Sequence, residues 1–95
     1  MRYFKSANRN SFIAIDKETH LVIQTELHKD SVQISIIEDE SNYKYFMQNL
    51  ILDKPKETKI SEGHSVTDDN YFIVVDKEIY EDHISYFRNF LLPLV

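Results

Sequence analysis

The stretch NYFIVVDKEIYEDHISYFRNFLLPLV, residues 70–95, changes period part-way along, and that change decides the fold class. Asn70 to Val75 is β-branched, aromatic and apolar on both sides, which reads as a central, doubly covered strand. From Lys77 onward Tyr80, Ile84, Phe87, Leu91 and Leu94 recur at intervals of four and three, flanked by Ile79, Tyr86 and Phe90, the pattern of an amphipathic helix. Asp76 has the side chain of an N-cap. Glu78, Glu81 and Asp82 lie toward the positive end of the helix dipole and Arg88 toward the negative end. Pro93 is expected to stop the helix.

Working outward, the first 40 residues alternate as strands do. Tyr3–Lys5 precedes a polar run. Phe12–Ile15 then meets the charged Asp16–Thr19, giving strand, turn, strand, turn. In His20–Leu27 the residues Leu21, Ile23, Thr25 and Leu27 alternate with mostly polar neighbours. Val32, Ile34 and Ile36 do the same after the polar His28–Ser31. Together these predict an antiparallel meander. Ser41–Leu52 fits helical spacing through Tyr43, Phe46, Met47, Leu50 and Ile51, and it also fits a strand. A short helix near 42–51, capped near Ser41, is the preferred reading. Asp53–Lys56 breaks that element, and the polar Thr58–Ser65 around Gly63 reads as a surface loop with at most a short edge strand. The expected fold is α+β: one domain, residues 1–95, in which a meander of four to six strands packs on the C-terminal helix. NSFIAIDKE (10–18) and NYFIVVDKE (70–78) agree at six of nine positions. The match does not extend to either side, and an apolar strand ending in a charged turn accounts for it without duplication.

The bulk composition limits the functions worth considering. A chain of 95 residues can bury a single core. With no cysteine there is no disulfide framework, thiolate metal site or thiol nucleophile. The start of the chain lacks the charged-then-apolar layout of a secretory leader, and no apolar run approaches membrane-spanning length, so a cytoplasmic location without membrane insertion is expected. A net charge of −5 argues against direct nucleic-acid binding through phosphate neutralisation. Frequent Ile, Asn, Lys, Tyr and Phe with little Ala or Gly suggest an AT-rich genome, such as that of a low-GC bacterium or a phage.

No catalytic template is complete. The histidines His20, His28, His64 and His83 show no ligand spacing, and His83 stands beside Glu81 and Asp82 without His-Glu-x-x-His geometry. Glu57-Thr58-Lys59 with Asp39 or Asp53 shares only two or three common residues with metal-dependent nucleases. There is no serine elbow, and one glycine cannot build a phosphate cradle. No cofactor, metal or enzymatic activity is therefore expected.

Binding is better supported. The basic set Arg2, Lys5 and Arg9 is interleaved with Tyr3 and Phe4, and acidic turns occur at Glu38, Asp39 and Glu40 and at Asp68 and Asp69. Such clusters are most often solvated turns. The aromatic load of 6 Tyr and 6 Phe widens the helix stripe beyond what one sheet face covers. Ile79, Tyr86, Phe90, Leu92, Leu94 and Val95 are thus the expected interface. The leading expectation is a non-catalytic interaction module that self-associates as a homo-oligomer or docks on a larger protein partner through its C-terminal helix. A phage-type inhibitor or adaptor binding a basic enzyme surface through the acidic turns is second. A metal-binding protein or small enzyme using His20, His64 or His83 is third.

Overall fold

The computed structural model describes residues 1–29 and 31–91, with side chains described through Ser85. Chain order is β1 (Arg2–Ser6), β2 (Ser11–Asp16), β3 (Leu21–Leu27), β4 (Val32–Ile37), α1 (Glu40–Asn49), β5 (Lys56–Ser61), β6 (His64–Asp68), β7 (Phe72–Val75) and α2 (Lys77–Leu91). Five strands form one sheet in the order β4-β3-β2-β1-β7, and β5 and β6 form a separate two-stranded sheet. The α+β architecture with an antiparallel meander and a C-terminal helix is therefore observed. All four pairings of the larger sheet are antiparallel.

Local chemistry explains the turns. Buried Ser6 ends β1, and its Oγ accepts hydrogen bonds from the backbone N–H groups of Asn8 (3.3 Å) and Arg9 (3.0 Å). Asp16 ends β2 by accepting from the Glu18 N–H at 3.0 Å, an Asx-type turn that His20 completes at a φ of 57°.

Because strand side chains alternate, the register assigns each residue to a face. Phe4 stands opposite Ile13, Ile15 opposite Val22, and Ser6 opposite Phe72. Phe4, Ile13, Ile15, Val22 and Phe72 form the buried core with Tyr43 of α1, while Phe46, Met47 and Leu50 pack against its margin. The alternate positions Tyr3, Phe12 and Thr25 meet α2. Tyr3 lies 4.6 Å from Tyr80 between ring centroids, and Phe12 lies 3.9 Å from His83. The sheet is thus sandwiched between the two helices. This is why β2 is buried at every position from Ser11 to Ile15.

Several expectations are corrected. The 70–75 segment is not a central, doubly covered strand: β7 is at the sheet edge, with Ile73 and Val74 exposed. Among the described residues its outer side is bonded only at Phe72, whose N–H donates to Ile51 and whose carbonyl accepts from the Asp53 N–H. The segment after α1 departs after this one bridge. Residues 58–65 are not a surface loop but part of the β5–β6 hairpin, whose strand side chains are all exposed and whose turn places Gly63 at a φ of 78°. The cap of α1 is Asp39 rather than Ser41, because the Asp39 carboxylate accepts from the Asn42 N–H at 3.0 Å.

The two similar nonapeptides flank β1 from opposite sides, yet they are not equivalent there. Lys5 pairs with Phe12 whereas Ser6 pairs with Phe72, so the two phenylalanines face opposite helices. The shared Asp makes a tight turn at Asp16 and caps α2 at Asp76, where it accepts from the Ile79 N–H at 3.0 Å.

Candidate interaction surface

The outer edge of β4 follows from hydrogen-bond parity. Antiparallel strands alternate between residues bonded to one neighbour and residues bonded to the other. The Leu27 N–H donates to Asn10 on the β2 side, and the His28 N–H donates to Ser31 on the β4 side. Odd residues of β3 therefore bond toward β2 and even ones toward β4. In the register Glu26–Gln33, Gln24–Ser35 and Val22–Ile37, it is Gln33, Ser35 and Ile37 whose backbone faces β3. The N–H and C=O groups of Val32, Ile34 and Ile36 point outward, where among the described residues no strand pairs with them.

The side chains at this edge are unusual for one facing water. Val32–Ile37 reads VQISII and contains no charge, proline or glycine, although exposed edges are ordinarily blunted by such residues. Ile34 is 50% exposed and Ile36 59% exposed. Both lie on the α2 face, since they stand opposite Thr25 and Ile23.

A concavity of about 510 Å³ lies between α1 and the opposite sheet face. Ile13, Phe46, Leu50 and Phe72 are among its apolar lining, and Gln24, Asn42, Asn49 and Asn70 bring amides to it. Arg9, which also lines it, is paired with Glu26 at 3.3 Å. Such a lining suits an apolar group with amide contacts. The groups with displaced pKa values lie across the sheet: burial lowers that of His83, while burial and then the neighbouring Tyr3 raise that of Tyr80.

The expected site residues are dispersed. Ile79 is 46% exposed in the first turn of α2. The side chains of Tyr86 and Phe90, and Leu92, Leu94 and Val95 altogether, lie outside the described residues. Glu38 and Asp39 are exposed between β4 and α1, where Asp39 is the cap, and the exposed Glu40 opens α1 and pairs with Lys44 at 3.2 Å. Asp68 accepts from the Asn70 N–H at 2.9 Å, and the Asp69 carbonyl accepts from the Asn8 side chain.

The basic N-terminal residues do not form one patch. Arg2 lies over Phe4, Lys5 lies over Phe12 on the other face, and Arg9 bonds Glu26. His20 contacts the Tyr43 ring, His28 and His64 are exposed, and His83 is buried against Phe12 and Thr25. Among the described residues no three His, Asp or Glu side chains are grouped to hold a metal ion. Asp39 and Asp53 stand at the two ends of the α1 region, whereas Glu57 and Lys59 lie on the exposed hairpin. No helix among the described residues is long and apolar enough to cross a membrane.

Sequence patterning identified β4 as a strand but missed its exposed edge as a surface. Its available signal was the uncharged run from Val32 to Ile37. No family model, no curated protein and no solved structure matches the chain.

Proposed function

We propose that the chain is a small, cytoplasmic, non-catalytic module that binds another protein chain, using the outer edge of β4 and the α2 face of the sheet beside it. The observation that carries this reading is the coincidence of outward backbone groups with the exposed, uncharged side chains Ile34 and Ile36. An added strand would satisfy those backbone groups while covering the isoleucines, the usual combination in strand addition. Ile79 places a further apolar side chain on α2, in keeping with an interface that includes this helix.

The test is a photo-crosslinking residue at Ser35, with one at the exposed Ser85 of α2 as a comparison. A discrete protein adduct formed through Ser35 in the native cytoplasm supports the module, and none at either position overturns it. Binding of a basic enzyme surface through the acidic turns has less support, because Asp39 and Asp68 have local structural partners and Glu40 is paired with Lys44. Charge-led binding would weaken steeply with salt, whereas strand addition would not.

A further inference from the structure

Tyr3 of β1 and Tyr80 of α2 come from distant parts of the chain, yet their ring centroids are 4.6 Å apart and their planes are inclined by 32°. That separation is at the short end of the range for packed aromatic pairs, about 4.5–7 Å. Both residues are half-buried, which leaves the pair within reach of small dissolved oxidants. The phenols also sense each other, since Tyr3 adds to burial in raising the Tyr80 pKa. We infer that Tyr3 and Tyr80 are a modification site, at which one-electron oxidation joins the two rings into an intrachain dityrosine that staples α2 to β1. This goes beyond the interaction reading and holds whichever partner the chain binds.

The composition directs oxidation to this pair. With no cysteine and no tryptophan in the chain, the phenols are the side chains that give up a single electron most readily. Met1 and Met47 react differently, taking up an oxygen atom in a two-electron step. Among the described residues no other two tyrosine rings are in contact: Tyr43 packs against His20, and Tyr45 is exposed. Coupling of Tyr3 to Tyr80 therefore has the advantage of two reactants already held together, whereas coupling through Tyr45 depends on collision with another chain.

Each phenol loses one electron and its hydroxyl proton, giving a phenoxyl radical whose spin is shared with the ring carbons beside the one that bears oxygen. A carbon–carbon bond then forms between a Cε atom of Tyr3 and a Cε atom of Tyr80. The hydrogen on each joined carbon leaves as a proton and a proton returns to each oxygen, so both rings recover their aromaticity. The net change is the loss of two electrons and two protons. An oxidant of the peroxide class supplies the balance, since one hydrogen peroxide activated by haem takes up both electrons and both protons and becomes two waters. In the product the ring centres are separated by two ring radii and one carbon–carbon bond, close to the separation already present. Coupling thus needs a change of ring tilt, a soft side-chain torsion, and no movement of β1 or α2. The new bond closes a loop from residue 3 to residue 80, restricting the unfolded chain, so the coupled protein should unfold at a higher urea concentration.

The test exposes the dilute natural chain briefly to visible light with persulfate and a ruthenium tris-bipyridyl sensitiser, persulfate taking the same two electrons and becoming two sulfates. The expected product has the mass of one 11.3 kDa chain less two hydrogens and shows blue dityrosine fluorescence. After trypsin, the segment Tyr3–Lys5 should be joined to the segment Glu78–Arg88. Tyr3→Phe and Tyr80→Phe each keep a ring for packing and remove the phenol, so either should abolish the product in a chain that still folds. Tyr86→Phe changes the other tyrosine of the same tryptic segment and should leave the product in place. In urea above the unfolding transition the preference for this pair should vanish. Dityrosine found only between chains, formed through other tyrosines, or equally selective in denaturant overturns the inference, as does its absence while the methionines are oxidised.

Discussion

The imidazole of His83 lies over the ring of Phe12, with centroids 3.9 Å apart and planes inclined by 24°. Its Nε2 is also 3.0 Å from the Thr25 hydroxyl, so a titratable group of α2 is held against the middle of the sheet. Burial lowers its pKa from the ordinary 6.5. The unfolded chain therefore binds the proton first as pH falls. The stability contributed by neutral His83 is complete above about pH 6.5 and is lost as pH falls through the lowered folded value. Urea midpoints should decrease between about pH 8 and about pH 5. The decrease should be smaller in His83→Phe, which at the higher pH costs about 1–3 kcal/mol if the Thr25 hydroxyl is left unsatisfied. An equally steep decrease in the variant would assign the pH dependence to other groups.

The two isoleucines Ile13 and Ile60 set the contrast between core and hairpin. Ile13 is 0% exposed and Ile60 67% exposed. Ile13→Ala should destabilise the fold by about 2–5 kcal/mol through lost burial and a cavity. Ile60→Ala should stay within about 0.5 kcal/mol. A large effect at Ile60 in denaturant unfolding would mean that the hairpin packs against other parts of the chain.

Each helix begins on an aspartate. Asp39→Ala and Asp76→Ala should each cost about 1 kcal/mol by leaving a first-turn N–H without its acceptor. Because the caps serve different helices, the two losses should add in the double variant to within about 0.5 kcal/mol. Asp39→Asn should keep the cap while removing the charge. Any loss of partner binding in that variant, with stability retained, would point to the acidic turn.

The hairpin should open on its own. With every strand residue from 56 to 61 and from 64 to 68 exposed, it lacks the buried surface that two-stranded ribbons need for independent stability. Amide exchange there should be much faster than in β1–β3, reflecting local rather than global opening. Gly63→Ala should speed it further, at a local cost of about 1 kcal/mol, because φ at this position is 78°. Uniform protection across the chain would contradict this.

The elements that sequence revealed best are those with an unambiguous local signal. At Asp76 a change of period coincides with a cap, and α2 starts at the next residue. Tyr43, Phe46, Met47, Leu50 and Ile51 suited a helix in the sequence while Tyr43, Tyr45, Met47 and Ile51 suited a strand; in the structure the helix turns Tyr43, Phe46 and Met47 toward one core and leaves Tyr45 exposed. The hairpin was obscured because KETKIS and HSVTD lack the apolar contrast that makes alternation visible. Glu62-Gly63, a two-residue turn, was its one usable signal. Edge status was beyond local patterning altogether. Ile34 and Val74 look as strand-like as Ile13, and only the order of the strands leaves them at the margins. For the same reason the acidic residues were visible as charges, while the local partners of Asp39, Glu40 and Asp68 were not.

The position of β1 also governs how the molecule can be assembled during synthesis. Although near the start of the chain, β1 lies between β2 and β7, and its second partner spans Phe72–Val75. A nascent chain that has emerged only through α1 can build the four-stranded meander, yet the flank of β1 that will receive β7 is still open. That temporary edge includes Phe4, one of the most completely buried residues of the finished fold. Until β7 has left the ribosome, the protein carries an unpaired strand edge, with Phe4 beside it, of the kind that attracts chaperones or misfolded neighbours. Its exposure to aggregation is thus set by how quickly the later segment is delivered, as well as by the stability of the completed sheet.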